Sequence, residues 1–223
     1  MCSKNVALRY LGFLLLVTSA SWGQDGLFQA PQSFDSGGND AFSVAVGDVN
    51  RDGKPDLIVA NLCLSISNCS GVVGVLLGNG DGTFQTAQSY SSGGVSAESI
   101  ALGDANGDGN LDVFVANSCA SDCPGEGGIG VLMGNGDGTF QPARTYGSGG
   151  EAAFATGNWI SAKDVNGDNQ LDLLVANSCL IDCTISQGKG GVSVLLGNAM
   201  GLFRRLGDTT RAVRTHARSR WPT

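Results

Sequence analysis

Residues 104–117 read DANGDGNLDVFVAN, and close copies occur at residues 48–61 (DVNRDGKPDLIVAN) and 164–177 (DVNGDNQLDLLVAN). Each copy places side chains that carry oxygen at positions 1, 3, 5 and 9 and continues directly into a short apolar run. The first two copies are 56 residues apart, and the third follows after a further insertion of four residues. The chain is therefore built from internal repeats.

Other segments repeat with the same period. The triplet Ser-Gly-Gly occurs at residues 36–38, 92–94 and 148–150. A phenylalanine recurs at the same interval as Phe28, Phe84 and Phe140. Each unit holds four apolar or alternating runs separated by Gly, Asn and Asp, which is typical of short strands and tight turns. In the first unit, the predicted strands are Phe42–Val46, Leu57–Ala60, Val72–Leu77 and Phe84–Tyr90.

Four antiparallel strands repeated at a regular interval predict an all-β partial β-propeller. The predicted blades are residues 39–94, 95–150 and 151–203, preceded by one leading strand within residues 24–38, which covers Gly26–Phe34. A two-sheet sandwich is the alternative fold, but it gives no reason for so regular a period.

About three blades are too few to close a ring, because propellers close with four to eight. The expectation is a truncated part of a larger propeller of about seven blades. Residues 204–223 are rich in Arg and do not follow the repeat, which indicates a truncation or a frameshift. The alternatives are self-association of several chains, missing further blades, an open arc, and a genuine basic tail.

The first 23 residues are typical of a signal peptide, with a basic start, a short apolar run at Tyr10–Val17 and small residues after it. Cleavage is expected after Ala20 or Gly23, and the chain is expected to be secreted. The apolar run is too short to span a membrane. Six cysteines remain after cleavage, and an even number in an exported chain indicates disulfides. The expected pairs are Cys63–Cys69, Cys119–Cys123 and Cys179–Cys183.

Charge excludes one class of partner. Nineteen of the 20 acidic residues lie between Asp25 and Asp182, whereas only five basic residues lie between Asp25 and Lys189. So acidic a body repels nucleic acid and attracts cations.

The repeated acidic stretches predict calcium sites, because alternate positions of a tight loop direct oxygen ligands inward. Magnesium fits less well, since it demands octahedral geometry. An EF-hand is excluded, because its position-12 glutamate is replaced by Val59, Val115 and Val175. A turn without metal is the alternative. The candidate ligands are Asp48, Asn50, Asp52, Lys54, Asp56, Asp104, Asn106, Asp108, Asn110, Asp112, Asp164, Asn166, Asp168, Gln170 and Asp172. Of these, Lys54, Asn110 and Gln170 would contribute their backbone carbonyls.

The pattern D-x-N-x-D-G-x-x-D-[LV]-x-V-A-N, followed by V-L-L-G-N-G-D-G-T-F, resembles the FG-GAP/VCBS repeats of bacterial exported proteins, relatives of the calcium-binding blades of integrin α-subunits. The resemblance covers residue 24 to about residue 203. It implies a β-propeller, one Ca²⁺ in each of about three repeats, and a role in cell adhesion or in binding a protein or carbohydrate ligand. It implies no particular ligand.

Catalysis has little support in the sequence, because His216, the sole histidine, lies outside every repeat. The chain is expected not to be an enzyme. The alternative is an accessory propeller segment of a larger exported hydrolase or lyase. In either case, the acidic loops and the GNGDG turns should lie together at one end of each blade. The cysteine loops and the Ser-Gly-Gly segments should lie at the other, where they could present a recognition surface.

Overall fold

The computed structural model describes residues 30–65, 67–119, 125–152, 159–178 and 190–205. In this part of the chain there are eleven β-strands and no helix. All of the strands belong to the compact unit formed by residues 34–223. A second compact unit, residues 1–33, is described only from residue 30 onward, where it has no regular secondary structure.

The strands form two antiparallel sheets in which each strand pairs with its neighbours in sequence. The first sheet contains β1 (Asn39–Gly47), β2 (Asp56–Cys63), β3 (Ser70–Leu76), β4 (Gln88–Gly103), β5 (Asp112–Cys119), β6 (Gly125–Leu132) and β7 (Arg144–Ala152). The second sheet contains β8 (Trp159–Lys163), β9 (Asp172–Asn177), β10 (Gly191–Leu196) and β11 (Arg204–Arg205).

Strand β4 belongs to two repeats at once. Its first half pairs with β3, from Val75 opposite Gln88 to Ser70 opposite Val95. Its second half pairs with β5, with a register shift between Ala97 and Ser99. The predicted fourth strand therefore begins later than Phe84 and continues into the next repeat, because the intervening Ser-Gly-Gly does not interrupt the extended backbone. Phe84 instead forms an isolated bridge with Gly78.

The structure confirms an all-β fold made of propeller-type blades. Blade 1 comprises β1–β3 and the first half of β4, blade 2 the second half of β4 with β5–β7, and blade 3 β8–β11. The predicted leading strand differs: residues 30–34 are not in a strand. Within the larger unit, Phe34 packs edge-on against Phe84 at 5.2 Å, and Asn61 Nδ2 donates to the carbonyl of Ser36. Residues 24–29 lie outside the described part.

Two apolar cores lie between successive blades. Ile58, Val73 and Val75 of blade 1 pack with Val113 and Val115 of blade 2 in the first core. The second core contains the other face of blade 2 and the facing side of blade 3, with the members Ala105, Phe114, Ala116, Ile129, Val131, Met133, Ile160, Leu173, Val175, Leu195 and Phe203. Because alternate residues of β5 point to opposite faces, blade 2 contributes to both cores.

Candidate calcium-binding loops

The three acidic stretches form the loops that connect the first and second strands of each blade. We call them the first, second and third acidic loops, residues 48–56, 104–112 and 164–172. Position 6 adopts the left-handed backbone in each, with φ of 80° at Gly53, 83° at Gly109 and 62° at Asn169. Asn tolerates this conformation better than most residues, which explains why the third loop keeps its shape without glycine.

The aspartate at position 1 organises each loop by accepting backbone N–H groups. In the second loop, Asp104 Oδ1 accepts from Gly107 at 2.7 Å and from Asp108 at 3.1 Å, and Oδ2 accepts from Gly109 at 2.8 Å. Asp48 and Asp164 accept from the corresponding positions of their loops. A carboxylate offers about four lone-pair sites. Three of those at Asp104 are occupied by N–H donors, which leaves capacity for a further ligand.

Positions 3 and 5 bring more oxygens to the same place. The Oδ1 atoms of Asp48 and Asn50 both accept the N–H of Asp52 at 3.1 Å, so these two oxygens share one donor. In the second loop, Asn106 Nδ2 donates to Asp108 Oδ2 at 2.9 Å. The loops thus gather amide and carboxylate oxygens at an exposed edge.

Position 7 supplies a backbone donor to the carboxylate at position 5. The N–H of Lys54 donates to Asp52 at 2.9 Å, and the N–H of Asn110 donates to Asp108 at 2.7 Å. Gln170 donates to Asp168 in the same way at 2.9 Å. The Lys54 ammonium also lies 3.6 Å from Asp52, which partly offsets the negative charge of the first loop.

The aspartate at position 9 has a role that the sequence did not reveal. Asp112 is fully buried, and its two oxygens accept N–H groups from Ala105 and Gly134, both at 2.8 Å. Asp56 and Asp172 make the same pair of bonds, to Val49 and Gly78 and to Val165 and Gly197. Each of these aspartates therefore links its acidic loop to the turn between the third and fourth strands.

The glycines that donate to these aspartates are needed for close approach. A Cβ atom at Gly78, Gly134 or Gly197 would overlap the backbone carbonyl of the residue before the position-9 aspartate, that is, of Pro55, Leu111 or Leu171. This glycine is the first residue of each GNG-type turn. Its regular occurrence there is the sequence signal that could have revealed its contact with the position-9 aspartate. The prediction that acidic loops and GNGDG turns share one end of the blade is confirmed by these contacts.

Hydrogen bonds and burial shift the pKa values of the carboxyls of the second loop in opposite directions. Donation from the N–H of Asn110, and then from the side chain of Asn106, lowers the pKa of Asp108. Burial raises the pKa of Asp112, against the opposing effect of its two N–H donors, and the charges of Asp108 and Asp104 raise it further. Backbone N–H donors likewise lower the pKa of Asp52 and Asp164.

The donor set suits calcium, since every candidate atom is a carboxylate, amide or carbonyl oxygen. In the described residues, no group of three His, Cys, Asp or Glu side chains is close enough to hold a metal by itself. The loops instead mix aspartate with asparagine at position 3, and the position-9 carboxyl is turned into the protein. Residues at positions 1, 3, 5 and 9, with the position-7 carbonyl, remain the predicted ligands, and position 9 also fixes the loop through its two N–H donors.

The opposite end of each blade contains the Ser-Gly-Gly segments and the cysteine loops. Asn117, buried at the end of β5, accepts from Ser92 Oγ at 2.5 Å and donates to the Ser92 carbonyl at 3.3 Å. Asn61 makes the same two bonds to Ser36. The backbone carbonyls of Cys63 and Cys119 lie close to Gly38 and Gly94, which confirms that the two kinds of segment meet here.

One predicted disulfide, Cys63–Cys69, is present in the first cysteine loop. Cys119 is also a disulfide cysteine. Its predicted partner Cys123, and the pair Cys179–Cys183, lie outside the described residues.

A family model described as an FG-GAP-like repeat matches residues 17–59, 62–115 and 118–175, more than half of the chain. The chain belongs to the FG-GAP-like repeat family. Each FG-GAP match ends just after an acidic loop, in the strand that follows it. These repeats form propeller blades, as the stacking of the three blades shows. No curated protein matches the FG-GAP chain. Within the described ranges, none of its segments forms a helix long and apolar enough to cross a membrane.

Proposed function

We propose that this FG-GAP chain is an exported, calcium-stabilised binding module without catalytic activity. The observation that carries the proposal is the threefold occurrence of one loop in which the side-chain oxygens at positions 1, 3 and 5 accept backbone N–H groups of the loop itself, position 1 from position 6, position 3 from position 5 and position 5 from position 7. Concentrated carboxylates repel one another, and a divalent cation removes that repulsion while supplying a rigid centre.

The ligand surface in this proposal is the end of the blades that bears the cysteine loops. Rigid scaffolds commonly present their ligand-contacting residues on loops, and a disulfide such as Cys63–Cys69 restrains one of them. Leu64, next to this disulfide, is 49% exposed and offers an apolar contact. The partner is a protein or a glycan, and the role is adhesion or ligand capture.

Calcium titration of the full chain, secreted from an oxidising compartment, tests the metal part of this proposal. Calorimetry should detect about three sites, and the melting temperature should rise with calcium, because an ion that binds only the folded state stabilises it. The titration must extend to millimolar calcium, since extracellular sites can be as weak as roughly 10⁻³ M.

Matched variants distinguish a metal ligand from an ordinary turn residue. Asp108→Asn changes position 5 of the second acidic loop, whereas Asp137→Asn changes an exposed turn aspartate with a similar hydrogen bond from the residue two positions later. The first variant should lose one site of about three, and the second should lose none. Equal stoichiometry in both variants, or no heat at millimolar calcium, would reduce the loops to hydrogen-bonded turns.

A further inference from the structure

The two inter-blade cores are the same interface formed twice. Blade 2 presents to blade 1 a set that we call its leading face, Ile100, Val113, Val115, Leu132 and Phe140. Blade 3 presents the equivalent residues to blade 2, namely Ile160, Leu173, Val175, Leu195 and Phe203. One leading face is thus used at both interfaces.

The surface that receives a leading face also repeats. We call it the trailing face, and in blade 2 it consists of Phe114, Ala116, Ile129, Val131 and Met133. Its counterpart in blade 1 is Ile58, Ala60, Val73, Val75 and Leu77. Every position is apolar in both blades, so the repeat preserves a pair of surfaces that fit each other.

Two faces of this kind remain without a neighbouring blade in the described part of the chain. The leading face of blade 1 is Val44, Leu57, Val59, Leu76 and Phe84. The trailing face of blade 3 is Leu174, Ala176, Val192, Val194 and Leu196. All ten residues are apolar, as they are at the two covered interfaces.

Exposure shows how far these faces depart from their covered equivalents. Val44 is 60% exposed, whereas its counterparts Ile100 and Ile160 are both 8% exposed. Val192 is 64% exposed, whereas its counterpart Ile129 is fully buried. Val44 lies between two further exposed residues of β1, Phe42 at 52% and Val46 at 62%. Val59 and Leu76 of the same face are 8% and 2% exposed, so the open apolar surface of blade 1 is the row of β1 side chains that contains Val44. Exposed apolar surface of this kind marks an interaction site.

We propose that a second copy of this chain occupies these faces, with the leading face of blade 1 in one copy packed on the trailing face of blade 3 in the other. The argument is continuity with the interface already present twice inside the chain. The two open faces belong to opposite ends of the stack of blades, so a head-to-tail contact between copies is the arrangement that pairs them. Two copies would bring six of the described blades together, within the range in which propellers close.

The mass of the full chain in solution, measured by sedimentation velocity over a concentration series in millimolar calcium, tests the proposal. The wild-type chain should sediment with the mass of two copies. Val44→Lys and Val192→Lys should each reduce this to the mass of one copy, because each buries a charge in the contact. Leu64→Lys, an exposed apolar position in the first cysteine loop, is the matched control and should keep the two-copy mass. Circular dichroism verifies that all variants keep the strand signal.

Mixing the two variants gives the sharper result. A Val44→Lys copy keeps a native trailing face, and a Val192→Lys copy keeps a native leading face, so the equimolar mixture should recover a two-copy species. A wild-type chain that stays at the mass of one copy would overturn the proposal. That mass is the result expected if other parts of the same chain cover both faces. So would a two-copy mass that survives either variant, or a mixture that remains at one copy.

Discussion

At the scale of single residues, the position-9 aspartate does more than the sequence pattern suggests. Asp56, Asp112 and Asp172 are all fully buried, and each accepts one N–H from its own acidic loop and one from the turn after the third strand. The carboxylate therefore joins two connections that are over twenty residues apart in sequence.

Replacing Asp112 by Asn should destabilise the fold. The two oxygens of Asp112 each accept an N–H, and an amide can accept only one of them while directing its own N–H₂ at the other donor. The loss of a buried hydrogen bond with an unsatisfied donor costs about 1–3 kcal/mol. Urea unfolding in the presence of chelator measures it. Asp137→Asn, in an exposed turn, should stay within about 0.5 kcal/mol, and an equal loss in both variants would contradict this account.

Acid should destabilise the chain in the absence of calcium. Hydrogen bonds lower the pKa of five exposed aspartates below the ordinary 3.8, namely Asp52, Asp81, Asp108, Asp137 and Asp164. A lowered pKa contributes stability above the unfolded value, and this is lost as the pH falls through the folded one. Asp112, with its raised pKa, acts in the opposite direction. The urea concentration at the unfolding midpoint should therefore fall as the pH drops below about 4. A midpoint concentration that stays constant down to about pH 2 would contradict the prediction.

At the scale of strands, close backbone approach explains why certain glycines recur. A Cβ at Gly130 of β6 would overlap the carbonyl of Ser92, just as one at Gly74 of β3 would overlap that of Ser36. Blade 3 differs, since the equivalent residue is Ser193, whose hydroxyl accepts from Asn177 Nδ2 at 2.9 Å. Asn177 Nδ2 also keeps its bond to the carbonyl of Ser148, at 3.4 Å compared with 3.3 Å for the equivalent bond of Asn117 in blade 2.

Gly130→Ser tests this difference between the blades. Although serine is native at the equivalent position of blade 3, it should destabilise blade 2 by about 1–3 kcal/mol, because β4 must move to admit the side chain. Ser193→Ala removes only the hydroxyl bond in blade 3 and should cost about 1 kcal/mol. Thermal unfolding compares the two. A smaller loss from Gly130→Ser than from Ser193→Ala would show that β4 adapts freely.

At the scale of the whole molecule, stability resides between blades rather than within one. Each blade is one layer of strands, so the apolar residues of the two cores are buried by packing between successive blades. Phe114 is fully buried in the second core, and its ring centroid lies 5.8 Å from that of Phe203.

Phe114→Ala should therefore be among the most damaging substitutions, with a loss of about 3–5 kcal/mol from the cavity and the lost transfer energy. Leu64→Ala, at an exposed apolar position, should change stability by less than about 0.5 kcal/mol. Chemical unfolding monitored by circular dichroism measures both. If Phe114→Ala cost no more than Leu64→Ala, blades 2 and 3 would not depend on each other for stability.

Much of the fold could be predicted because the repeat aligns the same local signals three times. The apolar runs gave the positions of β2, β5 and β9 to within a few residues, and the Asx-rich spacing gave the loops before them. The antiparallel strand order alone predicted that the acidic loops and the GNGDG turns lie at one end of each blade and the cysteine loops at the other. The extent of β4 was missed, because a local reading treats Ser-Gly-Gly as a break, whereas pairing with β3 and β5 keeps it extended.

The sequence by itself determined the strand order, the loop backbone and the candidate oxygen ligands, since these depend on spacing and on which residues tolerate left-handed geometry. Only the tertiary structure decided that Asp112 is buried between two N–H donors and that Val44 and Val192 lie on uncovered faces. The physical reason is that burial depends on which sheet packs against which. A repeated pattern gives equivalent residues the same chemistry, but a neighbouring blade decides whether that chemistry is hidden or exposed.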